Sequence, residues 1–205
     1  GHPPRASGSN QFKRPDELVF RMERVDVAIV GGGPGGLAAG LTAAQAGADA
    51  VVLEKGVPRA DREQLGPDST DAAGMLDYWV DLMDETPAAI PEDVILQELE
   101  ASEFVGPTER CRLDRTGIAS SWDGFGFTFD RVAMDDWWRE RATDAGAEYR
   151  VGTAVRGVEH EGAGHGHGIE HVVRTANGED LRADALNLAD GPQRTITGTV
   201  LERFL

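Results

Sequence analysis

The sequence predicts an α/β protein built on a parallel central sheet, with part of a smaller antiparallel sheet attached to it. Three observations carry that prediction. An apolar run at 25–30 ends in glycines and leads through an Ala- and Leu-rich stretch to a second apolar run at 50–53, the pattern of a strand, helix, strand unit. Between 94 and 129 the pattern changes to short runs such as VILQELEASEFV, ERCRLDRTGI and GFGFTF, which read as antiparallel strands. From 130 onward helical spacing and buried apolar runs return, so the chain leaves its first domain and comes back to it.

The elements follow in order. Residues 25–30 form a buried strand, and 34–46 form a helix that Gly47 stops. Residues 50–53 form the second strand, parallel to the first because a helical crossover joins them. A second helix is expected from Thr70 to about Glu85, with Ser69 or Thr70 capping its exposed amides. After the antiparallel region, 134–144 has helical patterning, Gly146 ends it, and 147–151 opens another strand. Residues 155–159 and 169–175 make a hairpin, and 185–189 a last buried strand. The domain reading is 1–21 a disordered extension, 22–93 and 130–205 two parts of one domain, and 94–129 strands on its substrate side.

Composition excludes several function classes. Asp plus Glu is 36 against 20 basic residues, a formal net charge of -16, and affinity for nucleic acid rests on basic patches. Only Lys13 and Lys55 are lysine, so an acidic, lysine-poor surface of the kind found in salt-adapted proteins is expected. No apolar run approaches the roughly 18 residues a membrane span needs. The single cysteine, Cys111, forms no internal disulfide, and a reducing cytoplasm fits. Met22 stands just ahead of the first strand and is read as the natural start, while TITGTVLERFL shows no closing element, so a truncated chain is expected.

The chemistry-bearing motif is GGGPGG at 31–36. Gly31, Gly33 and Gly36 form G-x-G-x-x-G, in which the first glycine turns the chain, the second admits a pyrophosphate, and the third lets helix and strand pack closely. Pro34 opens the helix, whose first amides face the phosphates. Glu54 ends the second strand 18 residues after Gly36, near the spacing at which an acid accepts hydrogen bonds from a ribose diol, and Lys55 follows it. Strand, glycine turn, helix, strand and acid in that order read as a Rossmann-like dinucleotide cradle.

Three stretches together carry a family resemblance. The segment GGGPGGLAAGLTAAQAGADAVVLEKG resembles the FAD-binding start of glutathione-reductase-like flavoproteins, with Gly40 at a small-residue position one turn on. RVAMDDWWRERATDAGAEYRVGTAV is similar to the second signature of the flavin hydroxylase and geranylgeranyl reductase branch, with Arg131, Met134, Asp135 and Trp138 followed by Gly146, Ala147, Thr153 and Val155. ALNLADGPQRTI resembles the strand and A-D-G-P of the same proteins.

The resemblance implies a Rossmann-like FAD domain, with FAD as cofactor and NAD(P)H or ferredoxin as electron donor. It implies that Arg131 approaches the flavin pyrophosphate or ribityl chain, that Val155 meets the adenine through its backbone, and that Asp190 and Gly191 lie near the pyrophosphate. Where hydroxylases carry Ser and Arg after the last motif, this chain has Arg194 and Thr197, which favours the geranylgeranyl reductase family. The implied activity is reduction of isoprenoid double bonds in lipids, with a small-molecule or lipid substrate and peripheral membrane contact through it. The alternatives are a flavin monooxygenase and a non-catalytic FAD-binding fragment. Neither the motifs nor the resemblance marks a catalytic residue.

Other residues have plainer readings. His160, His165, His167 and His171 lie in a glycine-rich hairpin connection and are not read as a metal site. Trp137 and Trp138 read as packing residues, Arg62 as a solvated loop charge, and Cys111 as an inert strand thiol.

Overall fold

A computed structural model describes residues 22–57, 74–82, 87–114, 122–161 and 170–202. The fold is α/β, with a mostly parallel central sheet and separate antiparallel sheets. Strand β1 (Glu23–Val30) runs into helix α1 (Pro34–Gln45) and returns as β2 (Ala50–Leu53), parallel to β1 with Ile29 opposite Val52. Pro34 suits the start of α1 because its missing N–H has no partner there anyway. Gly47 ends the helix at φ 82°, a left-handed conformation that glycine adopts without strain.

The central sheet has six strands. Beyond β2 lies β8 (Glu148–Arg150), and on the other side of β1 lie β11 (Leu181–Leu188), β10 (Glu170–Thr175) and β9 (Val155–Glu161). The pairs β8–β2, β2–β1 and β1–β11 are parallel, while β10 runs antiparallel to both β11 and β9. Strands β1 and β2 carry the core: Ala28, Ile29, Val51 and Val52 have no measurable exposure, and each side chain the size of valine or larger is worth ~1.5–3 kcal/mol of burial. Gly40 lets α1 lie close on this sheet, since a Cβ there would sit 2.8 Å from Val52 Cγ2.

The helix expected over 70–85 is corrected. Residues 70–73 and 83–86 lie outside the described residues, but Gly74–Leu76 is strand β3, and only Asp77–Leu82 is helical, as α2. β3 pairs antiparallel with β7 (Gly126–Phe129), and the main-chain bonds of that pairing outweigh a helical pattern in the local sequence. The antiparallel strands also divide in two: β4 (Ile95–Leu99) joins β7 and β3, while β5 (Ser102–Val105) and β6 (Arg110–Leu113) form a separate hairpin.

Helix α3 (Arg131–Asp144) begins three residues before the expected Met134, because the Asp130 carboxylate accepts a hydrogen bond from the Ala133 amide at 3.0 Å and caps it. α3 packs along α1 and over β7, where Leu37, Phe127, Met134 and Trp138 form one buried cluster. Trp138 is therefore a core residue, and Trp137 lies at the cluster's edge beneath the Arg141 guanidinium, 4.9 Å from the ring centroid. Strand β11 starts at Leu181 rather than 185, since its first half also pairs with β10. The last described element is helix α4 (Thr195–Leu201), which packs Ile196 and Val200 against Val30 and Val158.

Among the described residues no helix is long and apolar enough to cross a membrane, and no three His, Cys, Asp or Glu side chains are grouped to hold a metal ion. His160 and His171 face each other across β9 and β10 with their Nδ1 atoms 2.9 Å apart. Arg62, Ser69, Thr70, His165 and His167 lie outside the described residues. Cys111 lies on β6 with an exposed side chain.

Candidate functional site

A cleft of about 260 Å³ opens at the carboxyl ends of the parallel strands β1 and β2, beside the end of β11. Ligands of open α/β sheets bind at such strand ends. Of the residues singled out in the sequence, Gly31, Gly33, Glu54, Lys55, Val155, Asp190 and Gly191 all line it.

The glycines of the turn serve different purposes, and the geometry separates them. Gly31 has φ 100°, and a Cβ there would lie 2.3 Å from the Ala189 carbonyl oxygen, so the close passage of β1 past β11 requires glycine. Gly36 is buried beneath the turn, where a Cβ would lie 1.8 Å from the Gly31 carbonyl oxygen. Gly33 is the exception. Its φ of -77° suits any residue, and among the described residues no atom beyond its chain neighbours lies within 4 Å of a Cβ placed on it. No contact among the described residues accounts for the missing side chain at Gly33, and a bare backbone is what close approach of a phosphate requires.

Glu54 reaches back over the turn. Its Oε2 accepts from the Gly32 amide at 2.7 Å and its Oε1 from the Gly56 amide at 2.6 Å. A carboxylate has about four acceptor positions, so among the described residues one remains on each oxygen, the number a vicinal diol needs. Lys55, beside it, supplies a cation to the cleft wall.

Asp190 lines the cleft but spends its carboxylate on α4: Oδ2 accepts from the Ile196 and Thr197 amides at 2.7 and 3.1 Å, and Oδ1 accepts from the Thr197 hydroxyl. Burial pushes its pKa up, but the bonds from Thr197 and Ile196 outweigh that and hold it below the usual carboxylate value. Arg194, at the start of α4, takes the left-handed conformation with φ 50°.

Arg131 stands apart from the cleft lining. Its Nε donates to both oxygens of Asp135 at 3.0 Å, one turn along α3, and the pair is partly buried. Burial raises the Asp135 pKa, against the opposing effect of Arg131. Pro34 and Gly36 support the turn from α1 without lining the cleft.

Other residues of the signature stretches, not assigned a cofactor contact from the sequence, also reach the site. Thr153, Ala154 and Ala189 complete the cleft wall, and Thr195 and Ile196 close it from α4. Gly32, between the motif glycines, is held by Glu54 on one side and by the Tyr149 hydroxyl, which donates to its carbonyl at 3.2 Å, on the other. The only sequence signal for Gly32 was its place in an unbroken glycine run; for Tyr149 there was none, because it lies 117 residues away.

The sequence profile described as FAD dependent oxidoreductase matches residues 26–190, which takes in the site from the glycine turn to Asp190. Among curated proteins the chain is 32% identical over 190 residues to a menaquinone reductase of Mycolicibacterium smegmatis, covering 88% of this chain and 40% of that protein. It is 28% identical over 172 residues to digeranylgeranylglycerophospholipid reductase 2 of Methanopyrus kandleri, covering 77% of this chain and 38% of the relative. The chain thus spans about two fifths of the length of these relatives. Among solved structures, a geranylgeranyl bacteriochlorophyll reductase-like protein of Thermoplasma acidophilum superposes with a TM-score of 0.65 at 25% identity, covering 85% of this chain and 41% of that one. The OxyS anhydrotetracycline hydroxylase of Streptomyces rimosus superposes with a TM-score of 0.64 at 25% identity, covering 85% and 34%. With four fifths of its length matched by one family profile, the chain belongs to the FAD dependent oxidoreductases.

Proposed function

We propose that this chain is the FAD-holding portion of a reductase that saturates double bonds in the isoprenoid chains of lipids. The observation that carries the cofactor assignment is the open face of Gly33: it has ordinary backbone geometry, no contact for a Cβ among the described residues beyond its chain neighbours, and a place in the cleft wall. On this reading the turn of Gly31, Gly33 and Pro34 holds the pyrophosphate, Gly36 keeps α1 close beneath it, and the free acceptor positions of Glu54 take the ribose diol. Lys55 and Arg131 balance phosphate charge, Val155 borders the adenine, and Asp190 and Gly191 shape the wall nearest the phosphates. FAD, when bound, supplies two-electron hydride chemistry, with NAD(P)H or ferredoxin as the source of electrons. Residues 22–93 and 130–205 make up the FAD-binding part and 94–129 the substrate side, to which β3 adds its three residues.

The substrate class comes from chemistry shared by the relatives. Menaquinone and digeranylgeranylglycerophospholipid have different head groups but both carry polyprenyl chains, so the isoprenoid chain is the common feature. A lipid substrate brings the protein to a membrane surface from the cytoplasm, and the acidic, lysine-poor composition fits a salt-adapted source. A second reading, a flavin monooxygenase, is favoured by the likeness to the anhydrotetracycline hydroxylase. Against it, Arg194 and Thr197 replace the Ser and Arg that follow the last motif in hydroxylases.

The experiment is anaerobic incubation of the FAD-loaded protein, chemically reduced, with a geranylgeranyl lipid and with menaquinone, followed by mass spectrometry. Addition of two hydrogens per saturated bond supports the reductase. An unchanged lipid, together with oxygen-dependent hydroxylation of an aromatic acceptor, supports the monooxygenase. Neither reaction, with FAD bound, supports a binding portion that needs further polypeptide for catalysis.

A further inference from the structure

Tyr149 is a residue that the cofactor reading does not use, yet it touches the centre of the glycine turn. It lies on β8 opposite Val52, half-buried, with its ring against the clusters around Leu37 and Ile29. Its hydroxyl donates to the Gly32 carbonyl at 3.2 Å, while the amide of the same residue donates to Glu54 at 2.7 Å. The hydroxyl also fills the space a side chain at 32 would need, since a Cβ on Gly32 would come within 2.3 Å of it.

This contact fixes the direction of the next amide. A trans peptide is planar, so the Gly32 carbonyl and the Gly33 N–H point in opposite directions. With the carbonyl turned toward Tyr149, the Gly33 N–H is turned away from it, and Gly33 borders the cleft. Among the described residues that N–H has no acceptor. A peptide between two glycines changes orientation at little steric cost, so a bond from outside the turn decides which way it faces.

We propose that Tyr149 is a positioning residue for ligand phosphate, its hydroxyl locking the Gly32–Gly33 peptide so that the Gly33 N–H faces an anionic group in the cleft. This rests on the FAD reading above. Burial, then the nearby Glu54 carboxylate, push the Tyr149 pKa up to about 12, so the phenol stays a donor through the neutral range.

The test uses the full chain and FAD. Flavin fluorescence titration of Tyr149→Phe is expected to show about threefold to tenfold weaker binding, the range for one lost neutral hydrogen bond. In the ¹⁵N-labelled unaltered protein, FAD is expected to shift the Gly33 amide resonance strongly, and in Tyr149→Phe this response shrinks. Equal affinity of the two proteins overturns the positioning role. So does a variant with a lowered Tm but an unchanged Gly33 response, which marks Tyr149 as packing only. The amide measurement on the unaltered protein stands even if the variant fails to fold: no response of Gly33 to bound FAD overturns the proposal. If the unaltered chain binds no FAD at all, the cofactor reading falls first and this inference falls with it.

Discussion

Replacing Gly33 with alanine separates ligand binding from folding, and Gly36→Ala provides the contrast. Gly33 has φ -77° and ψ -174°, and among the described residues a Cβ there meets nothing within 4 Å beyond its chain neighbours. Alanine at a compatible position stabilises by ~0.4–1 kcal/mol through the unfolded chain. The preference for glycine over alanine at a helix N-cap offsets a similar amount. The net change is under about 1 kcal/mol, or ~2–4 °C in Tm for a chain of this size. On the FAD reading binding responds differently, because the new methyl enters the cleft where a phosphate would rest. Loss of one charge-assisted hydrogen bond, ~1.5–3 kcal/mol, weakens FAD binding roughly 10- to 100-fold. In Gly36→Ala the Cβ falls 1.8 Å from a backbone oxygen and 2.9 Å from its carbon, so α1 must move. That costs ~1–3 kcal/mol or more and lowers Tm by several degrees. Differential scanning fluorimetry and flavin titration of both variants measure the split. A Gly33→Ala protein that melts far below the native one, or that binds FAD unchanged, refutes the reasoning.

Two further predictions concern the elements flanking the cleft. Asp190→Ala removes the acceptor for the first amides of α4 and is expected to cost ~0.5–2 kcal/mol at neutral pH, read as a lower Tm. Because the folded pKa of Asp190 is lowered, its contribution is present above the usual carboxylate value and is lost as pH falls through the folded one. The native and variant melting curves therefore converge in acid, and curves that stay parallel count against the assignment. At the hairpin, burial and then His160 lower the His171 pKa from 6.5, so the unfolded chain takes up this proton first. Stability from this group is present above about pH 6.5 and is lost as pH falls through the lowered folded value. His171→Gln should flatten the Tm profile in that window, and an unchanged slope contradicts it.

What the sequence revealed and what it hid divide along the range of the interactions. The unit from β1 to β2 was legible because its signals are local: an apolar run, glycines with set spacing, and an acid at the second strand's end. The family resemblance added Asp190, Gly191 and Val155, which the chain brings from two separate stretches to the cleft of the glycine turn. Local pattern failed where a distant partner decides. DAAGMLDYWVDLMDE has helical spacing, but β7, some 50 residues on, captures Gly74–Leu76 as a strand. TITGTVL is rich in β-branched residues that disfavour helix, yet α4 forms with Asp190, six residues earlier, accepting from the Ile196 amide. Tyr149 was invisible for the same reason, since no periodicity links a strand tyrosine to a glycine turn. For Arg131 the resemblance implies approach to phosphate, and the structure shows its side chain paired with Asp135, one turn along α3.

The most direct test of the account is a titration of the purified, flavin-free chain with FAD, followed by the visible spectrum after gel filtration and by circular dichroism. The account predicts that flavin absorbance co-elutes with folded protein at a ratio near one to one, and that Gly33→Ala lowers the co-eluting flavin while leaving the fold intact. A folded native chain that elutes without flavin, at FAD concentrations saturating for ordinary flavoproteins, contradicts the assignment of this cleft to FAD.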